Sequence, residues 1–188
     1  MAASDQFYQP GDVLYEGKPF MRVIKKDMWG KICSCCFSRH YESRLKFCKA
    51  CGIMKYCGKD CQKTDWQYHK FECGVLRRCC DNSWPNFSQL LGNIILKINK
   101  RNWKTISEKV LNENVSFDDF QISKQVREEN SPEHFSYSVF ASNVKTLLIA
   151  YIGEENVPDE IQFSDLLGKV LSNHVLCRQD ISASIYIG

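Results

Sequence analysis

The chain lacks any run approaching the roughly 20 apolar residues that a membrane-crossing helix needs. Its first residues, MAASDQFYQPGD, lack both an apolar stretch and a basic start, so no secretory signal is expected there. Without secretion the expected setting is intracellular, nuclear or cytoplasmic, where the reducing environment makes stable disulfides rare. A strong excess of one charge is also missing. The formal net charge of +3 is too small to imply nucleic-acid binding by itself. Internal repeats and low-complexity runs are absent. Cysteine is scarce late in the chain: only Cys177 lies in the last hundred residues.

What is present is enough for one ordinary domain or two small ones, since 188 residues are 44% apolar and 12% aromatic. Eleven cysteines concentrated early in the chain need a purpose other than disulfides. The same region is basic. Residues 44–78 carry Arg44, Lys46, Lys49, Lys55, Lys59, Lys63, Lys70, Arg77 and Arg78 against Asp60, Asp65 and Glu72, whereas residues 107–165 are acidic. A solvated basic face around a cysteine module is the plainer reading, because no recognition-helix pattern supports DNA binding.

Two short strands are expected near the start, Asp12–Tyr15 and Phe20–Ile24, separated by a Glu16-Gly17-Lys18-Pro19 turn. Residues 33–75 are too rich in Cys, Gly and Lys to bury an apolar core. After Trp84-Pro85 the pattern turns helical. Leu90, Leu91, Ile94, Ile95 and Ile98 repeat at helical spacing, and Trp103, Ile106 and Val110 suggest a shorter helix. Ser131-Pro132-Glu133 opens a helix through Phe135, Val139, Phe140, Val144, Leu147, Leu148 and Tyr151, which Gly153 ends. Ser164 is expected to cap another, with Leu166, Leu167, Val170 and Leu171 on one side, and Ala183–Ile187 looks like a strand. Residues 84–175 thus read as a small helical subdomain.

The chemistry lies in four consecutive pairs: Cys33-x2-Cys36, Cys48-x2-Cys51, Cys57-x3-Cys61 and His69-x3-Cys73. A C-x2-C turn points two thiolates at one ion. Residues four apart on a helix share a face, so Cys57/Cys61 and His69/Cys73 can each offer two ligands together. Two tetrahedral Zn2+ ions need eight ligands, and eight are present. Closed four-ligand sites leave no position for substrate, so the module is expected to fold and recognise rather than catalyse. A redox role for C-x-x-C would need a βαβ setting. Cys35, Cys79, Cys80 and Cys177 are spare. His40 is a substitute ligand by position but is expected to be exposed, and His134 and His174 are expected on helices.

The order C-x2-C, C-x2-C, Tyr56-Cys57-x3-Cys61, Gln62, Trp66, His69-Lys70-x2-Cys73 closely resembles the MYND zinc finger over residues 33–73. The resemblance implies a cross-braced pairing, with Cys33, Cys36, Cys57 and Cys61 on one ion and Cys48, Cys51, His69 and Cys73 on the other. It also implies a protein partner, with proline-containing peptides as the ligand class. Gln62 and Trp66 match positions lining the peptide groove of such fingers. For Trp66 the alternative is a small-core aromatic covering the second zinc.

The flanks resemble the SET-and-MYND (SMYD) lysine methyltransferases. "YQPGDVLYEGKPFMRVI" is similar to the strand pair before the finger, and "LRRCCDNSWPNFSQLLGNIILKI" to the helical segment after it. "FSDLLGKVLSNHVLCRQDISASIYIG" resembles the helix and strand ahead of the main catalytic motif. The implied fold is a small zinc-stabilised α+β protein with the finger inserted in an incomplete SET domain and followed by a helical subdomain. Residues 1–32 would be partial N-terminal SET strands, 33–73 the finger, and 74–188 a helical SET-insert-like region ending in a strand before the missing SET core. The family's G-x-G-type turn and its N-H-S-C-x-P-N segment are not found in these residues; Asn173-His174-Val175-Leu176-Cys177 has the wrong spacing. The expectation is therefore an interaction module on a catalytically incomplete scaffold, with no catalytic residue and no S-adenosylmethionine site. The alternative is a fragment or short isoform of an S-adenosylmethionine-dependent protein/histone-lysine N-methyltransferase. An unfinished sheet would expose an edge and leaves the oligomeric state open.

Overall fold

The computed structural model describes residues 9–10, 19–40, 44–78, 85–101, 107–110, 113–116, 120, 132–179 and 182–187. The expected Asp12–Tyr15 strand lies outside them. The described elements are β1 (Met21–Ile24), β2 (Lys46–Phe47), β3 (Lys55–Tyr56), α1 (Lys59–Arg78), α2 (Asn86–Arg101), β4 (Ser107–Val110), β5 (Glu113–Ser116), α3 (Pro132–Ile152), α4 (Glu160–Asn173), β6 (His174–Gln179) and β7 (Ser182–Ile187). Single 3-10 turns cover Lys26–Met28 and Glu154–Asn156.

Strands distant in sequence build one antiparallel sheet in the order β1-β7-β6, with Met21 opposite Ile187 and His174 opposite Ile187 on the other side. The cysteine module and all the described helices therefore lie in the chain between two strands that pair. β2 and β3 form a minimal ladder inside the module, pairing Lys46 with Tyr56 and Phe47 with Lys55.

Two apolar cores result. The larger joins Phe20, Met21 and Val23 of the β1 region to Phe71 and Val75 of α1, with Leu90, Leu91, Ile94, Ile95 and Ile98 of α2. Val144, Leu148 and Tyr151 of α3 and Phe163, Leu166, Leu167 and Val170 of α4 complete it. The helices thus share their core with β1 and α1. The smaller core holds Leu45, Met54, Tyr56 and Leu76 around Cys33, Cys48 and Cys73. Residues 33–75 do bury an apolar core, a small one built around sulfur. α1 serves both: Phe71 and Val75, four apart, face the larger core, while Cys73 and Leu76 face the smaller.

Three local expectations change. The shorter helix around Trp103, Ile106 and Val110 is replaced, over the described residues, by a hairpin pairing Ser107 with Ser116 and Val110 with Glu113. A helical repeat of only three apolar residues is a weak signal. α4 begins before Ser164, because Asp159 Oδ1 accepts the Gln162 backbone N–H at 2.9 Å, as a helix N-cap does. On α3, Val139 and Phe140 are exposed although their spacing placed them on the core face.

Candidate metal centre

Each C-x2-C pair sits on the same kind of turn. Phe37 N–H donates to Cys33 O at 3.0 Å and Gly52 N–H to Cys48 O at 2.8 Å, closing a loop around the two sulfurs. The residue after the second cysteine is left-handed in both, with φ 60° at Phe37 and 74° at Gly52. Glycine takes that conformation freely, whereas a side chain costs about 1–2 kcal/mol there. The Arg22 guanidinium lies 4.7 Å from the centre of the Phe37 ring and holds it in place.

The remaining ligands come from α1 and its approach. Cys57 precedes the helix and Cys61 lies in its first turn, so this pair is delivered by a helix entry rather than by one helical face. His69 and Cys73 do share a face, one turn apart. The eight side chains gather into two fourfold groups, Cys33/Cys36/Cys57/Cys61 and Cys48/Cys51/His69/Cys73, whose ligand atoms all lie within 4.8 Å of one another in each group.

The spacing fits zinc. Sγ atoms stand 3.9 Å apart for Cys36 and Cys57, 3.4 Å for Cys57 and Cys61, and 3.8 Å for Cys48 and Cys73. Ligand bonds of about 2.3 Å to sulfur at tetrahedral angles put sulfurs about 3.8 Å apart, and disulfide bonding would need about 2 Å. Cys51 Sγ to His69 Nε2 is 3.6 Å, close to the tetrahedral edge of about 3.6 Å for one sulfur and one nitrogen ligand. The two clusters therefore fit two Zn2+ ions. Bound zinc would supply folding energy here, with all four positions in each group filled by protein.

Electrostatics prepare the ligands. Burial opposes ionisation of Cys36, but the Ser38 side chain and backbone outweigh it and lower the thiol to about 6. Burial likewise opposes Cys48, and the backbone N–H of Cys51 together with His69 brings it to about 7. One thiol in each cluster is thus biased toward the thiolate that binds metal. At Cys73 burial dominates and pushes the thiol up to about 11. Burial also disfavours charge on His69, yet hydrogen bonds to Cys51 and Glu72 raise it to about 12, so metal competes with a proton at Nε2.

Residues not anticipated as part of the site support it. Asp65, buried on α1, accepts from Arg22 of β1 and from the Tyr56 hydroxyl at 2.8 Å. Arg22 also donates to Cys35 O at 3.0 Å. Glu72 Oε1 lies 3.3 Å from His69 Nδ1. Asp65, His69, Glu72 and Leu76 form one stripe of α1 at helical spacing, a pattern the sequence does show once the helix start is known.

Cys35 lies in neither cluster, half-buried. His40 is also outside both, and its Nε2 is buried without a hydrogen-bond partner among the described residues, unlike the exposed histidine expected. His174 opens β6 instead of lying on a helix, while His134 falls on α3. Cys79 and Cys80 lie outside the described residues. Trp66 is 46% exposed, and its ring meets His69 edge-on with centroids 5.8 Å apart. It covers a ligand and lines an open groove of about 430 Å3 with Lys59, Gln62 and Lys63.

With this geometry in view, comparison with known families is decisive for the module. Residues 33–73 match the MYND finger. The matched span begins and ends on ligands, Cys33 and Cys73, so the MYND finger contains both clusters. Similar proteins include histone-lysine N-methyltransferase SMYD3 of Mus musculus, 33% identical over 90 residues, which are 48% of this chain and 21% of that protein. N-lysine methyltransferase SMYD2-A of Danio rerio is 32% identical over 105 residues, 55% of this chain and 24% of its own length. Histone-lysine N-methyltransferase ASHR1 of Arabidopsis thaliana is 37% identical over 71 residues, 38% of this chain and 14% of that protein. The chain thus covers a quarter or less of the length of these relatives. No described helix is long and apolar enough to cross a membrane.

Proposed function

We propose that this chain is a zinc-stabilised protein-interaction module, a MYND finger carried on a SMYD-like scaffold, and that its groove takes a proline-containing peptide. The carrying observation is the groove of Lys59, Gln62, Lys63 and Trp66. An exposed indole offers a flat apolar surface to a proline ring, Gln62 offers hydrogen bonds to a peptide backbone, and the MYND ligands keep α1 rigid beneath them. The pairing of β1 with β7 around the finger supports the reading of the finger as an insertion in a SET-type sheet. Trp66→Ala is expected to weaken binding of a proline-containing peptide by about 2 kcal/mol, roughly 30-fold, while the chain keeps its zinc. Calorimetry reads the affinity and elemental analysis the metal; unchanged affinity in a zinc-replete variant contradicts the groove assignment.

A second reading is favoured by the relatives: these residues form the N-terminal part of an S-adenosylmethionine-dependent protein-lysine methyltransferase. Calorimetry of the 188-residue chain with S-adenosylmethionine separates the two. The interaction reading expects no heat of binding, and clear saturable binding favours the enzyme. Reading the transcript beyond Gly188 for an N-H-S-C-x-P-N segment tests the same point independently.

A further inference from the structure

His69 is the one nitrogen among the eight ligands, and it is fully buried. Its Nε2 faces Cys51 inside the second cluster, so the proton on Nδ1 points to Glu72 Oε1. That fixes the tautomer a metal ligand needs. The other oxygen of Glu72 is spoken for by a different part of the molecule. Oε2 accepts from Gln89 Nε2 at 2.8 Å and from Asn93 Nδ2 at 2.7 Å, both on α2 and both buried. Asn93 Oδ1 in turn accepts from the Tyr151 hydroxyl of α3 at 3.4 Å. Tyr151 reaches this position because α2 has a glycine under it. A Cβ at Gly92 would stand 2.7 Å from the Tyr151 ring, closer than side chains tolerate.

We infer that Glu72 links filling of the second cluster to packing of α2 and α3, through His69, Gln89, Asn93 and Tyr151. A buried carboxylate is stable only when its acceptor positions are met, so the helices that satisfy Oε2 also hold Oε1 on His69. The dependence runs both ways, since coupling between two equilibria is reciprocal. Metal at His69 favours the docked helices, and the docked helices favour metal. The first cluster shows no matching route among the described residues: Cys57 N–H to Cys33 Sγ and Cys33 N–H to Ser38 O stay within the finger, and Arg22 ties Cys35 O to β1 and to Asp65 of α1 without reaching α2. The link rests on the clusters holding metal and is independent of the peptide groove.

Cobalt(II) substitution tests it, because a trithiolate–imidazole site and a tetrathiolate site absorb differently in the visible. Asn93→Leu, or the milder Gln89→Met, touches no ligand and removes a donor to Glu72. Either variant is expected to lose the trithiolate–imidazole band at roughly tenfold lower chelator concentration than the native chain, with the tetrathiolate band unmoved. On the native chain, hydrogen exchange during the same titration should show α2 amides losing protection at the step that empties the imidazole site. Bands that shift together or not at all in the variants, or α2 protection that outlasts that site, overturn the link. So does simultaneous loss of both bands and of all protection in the native chain. Failure of the native chain to bind cobalt at all would defeat the metal reading itself, and the link with it.

Discussion

The two ligand clusters are built from the same turn but embedded differently, and the contrast shows how one finger can have a buried inside and an open outside. In the first cluster only Cys33 is buried and Cys36 is exposed; in the second Cys48, His69 and Cys73 are all buried. The first depends on a loop and on β1, through Arg22. The second lies under α1, with Glu72 carrying its influence to α2. The groove beside Trp66 runs along the outer surface of that same helix. Burial of one face of α1 against the ligand cysteines and the helices leaves its other face open.

The sharpest way to break the comparison is to remove one ligand from each cluster. Cys73→Ala deletes a buried ligand on the helix that serves both cores. It is expected to abolish most helical circular dichroism at 25 °C, given structural zinc binding energies of about 10–16 kcal/mol in small fingers. Cys36→Ala deletes the exposed ligand and should leave a folded chain with one firmly held zinc and a lower Tm. Equal loss of structure in both variants would erase the distinction. Acid acts on both sites in the same direction: the thiols must lose their protons and His69 must be neutral, with Nε2 unprotonated, to bind metal, so zinc release measured with a chromogenic chelator should rise as pH falls.

A smaller effect is expected at the support of the first cluster. Arg22→Met leaves Asp65 buried without its cationic partner, at a cost of about 3–5 kcal/mol in urea denaturation. Burial already pushes the Asp65 carboxyl upward against the pull of Arg22, so loss of that arginine should raise it further. The smallest effect compares the knuckles themselves. Gly52→Ala meets no atom of the described residues within 4 Å and should cost only the left-handed backbone penalty, about 1 kcal/mol. Phe37→Gly relieves that penalty but forfeits the Arg22 contact, about 0.5–1 kcal/mol, so the two nearly cancel. Thermal melts of the pair measure both; a large loss for Phe37→Gly would show the ring contributes more than its stack on Arg22.

The eight ligands were legible in the sequence because metal chemistry imposes short fixed spacings on them. The α2 stripe was legible for a similar reason, as Leu90, Leu91, Ile94, Ile95 and Ile98 are all buried. Contacts between distant residues were not. Nothing local distinguishes Glu72 from a surface glutamate until α2 brings Gln89 and Asn93, 17 and 21 residues away, to its carboxylate. Asp65 is hidden in the same way by Arg22, 43 residues earlier. Where local signals were weak they also misled. Ser164 looked like a cap, but the chain offered Asp159 first, after Pro158. Val139 and Phe140 have helical spacing, but α3 is apolar around so much of its surface that spacing could not say which residues face inward.

The most direct test is the zinc content of the purified chain by elemental analysis, paired with a count of cysteines open to a thiol reagent in the native state. Two zinc ions per chain, with the seven cluster cysteines protected until a chelator is added, is the predicted result. One ion or none, or cluster thiols that react as readily as the spare ones, would contradict it.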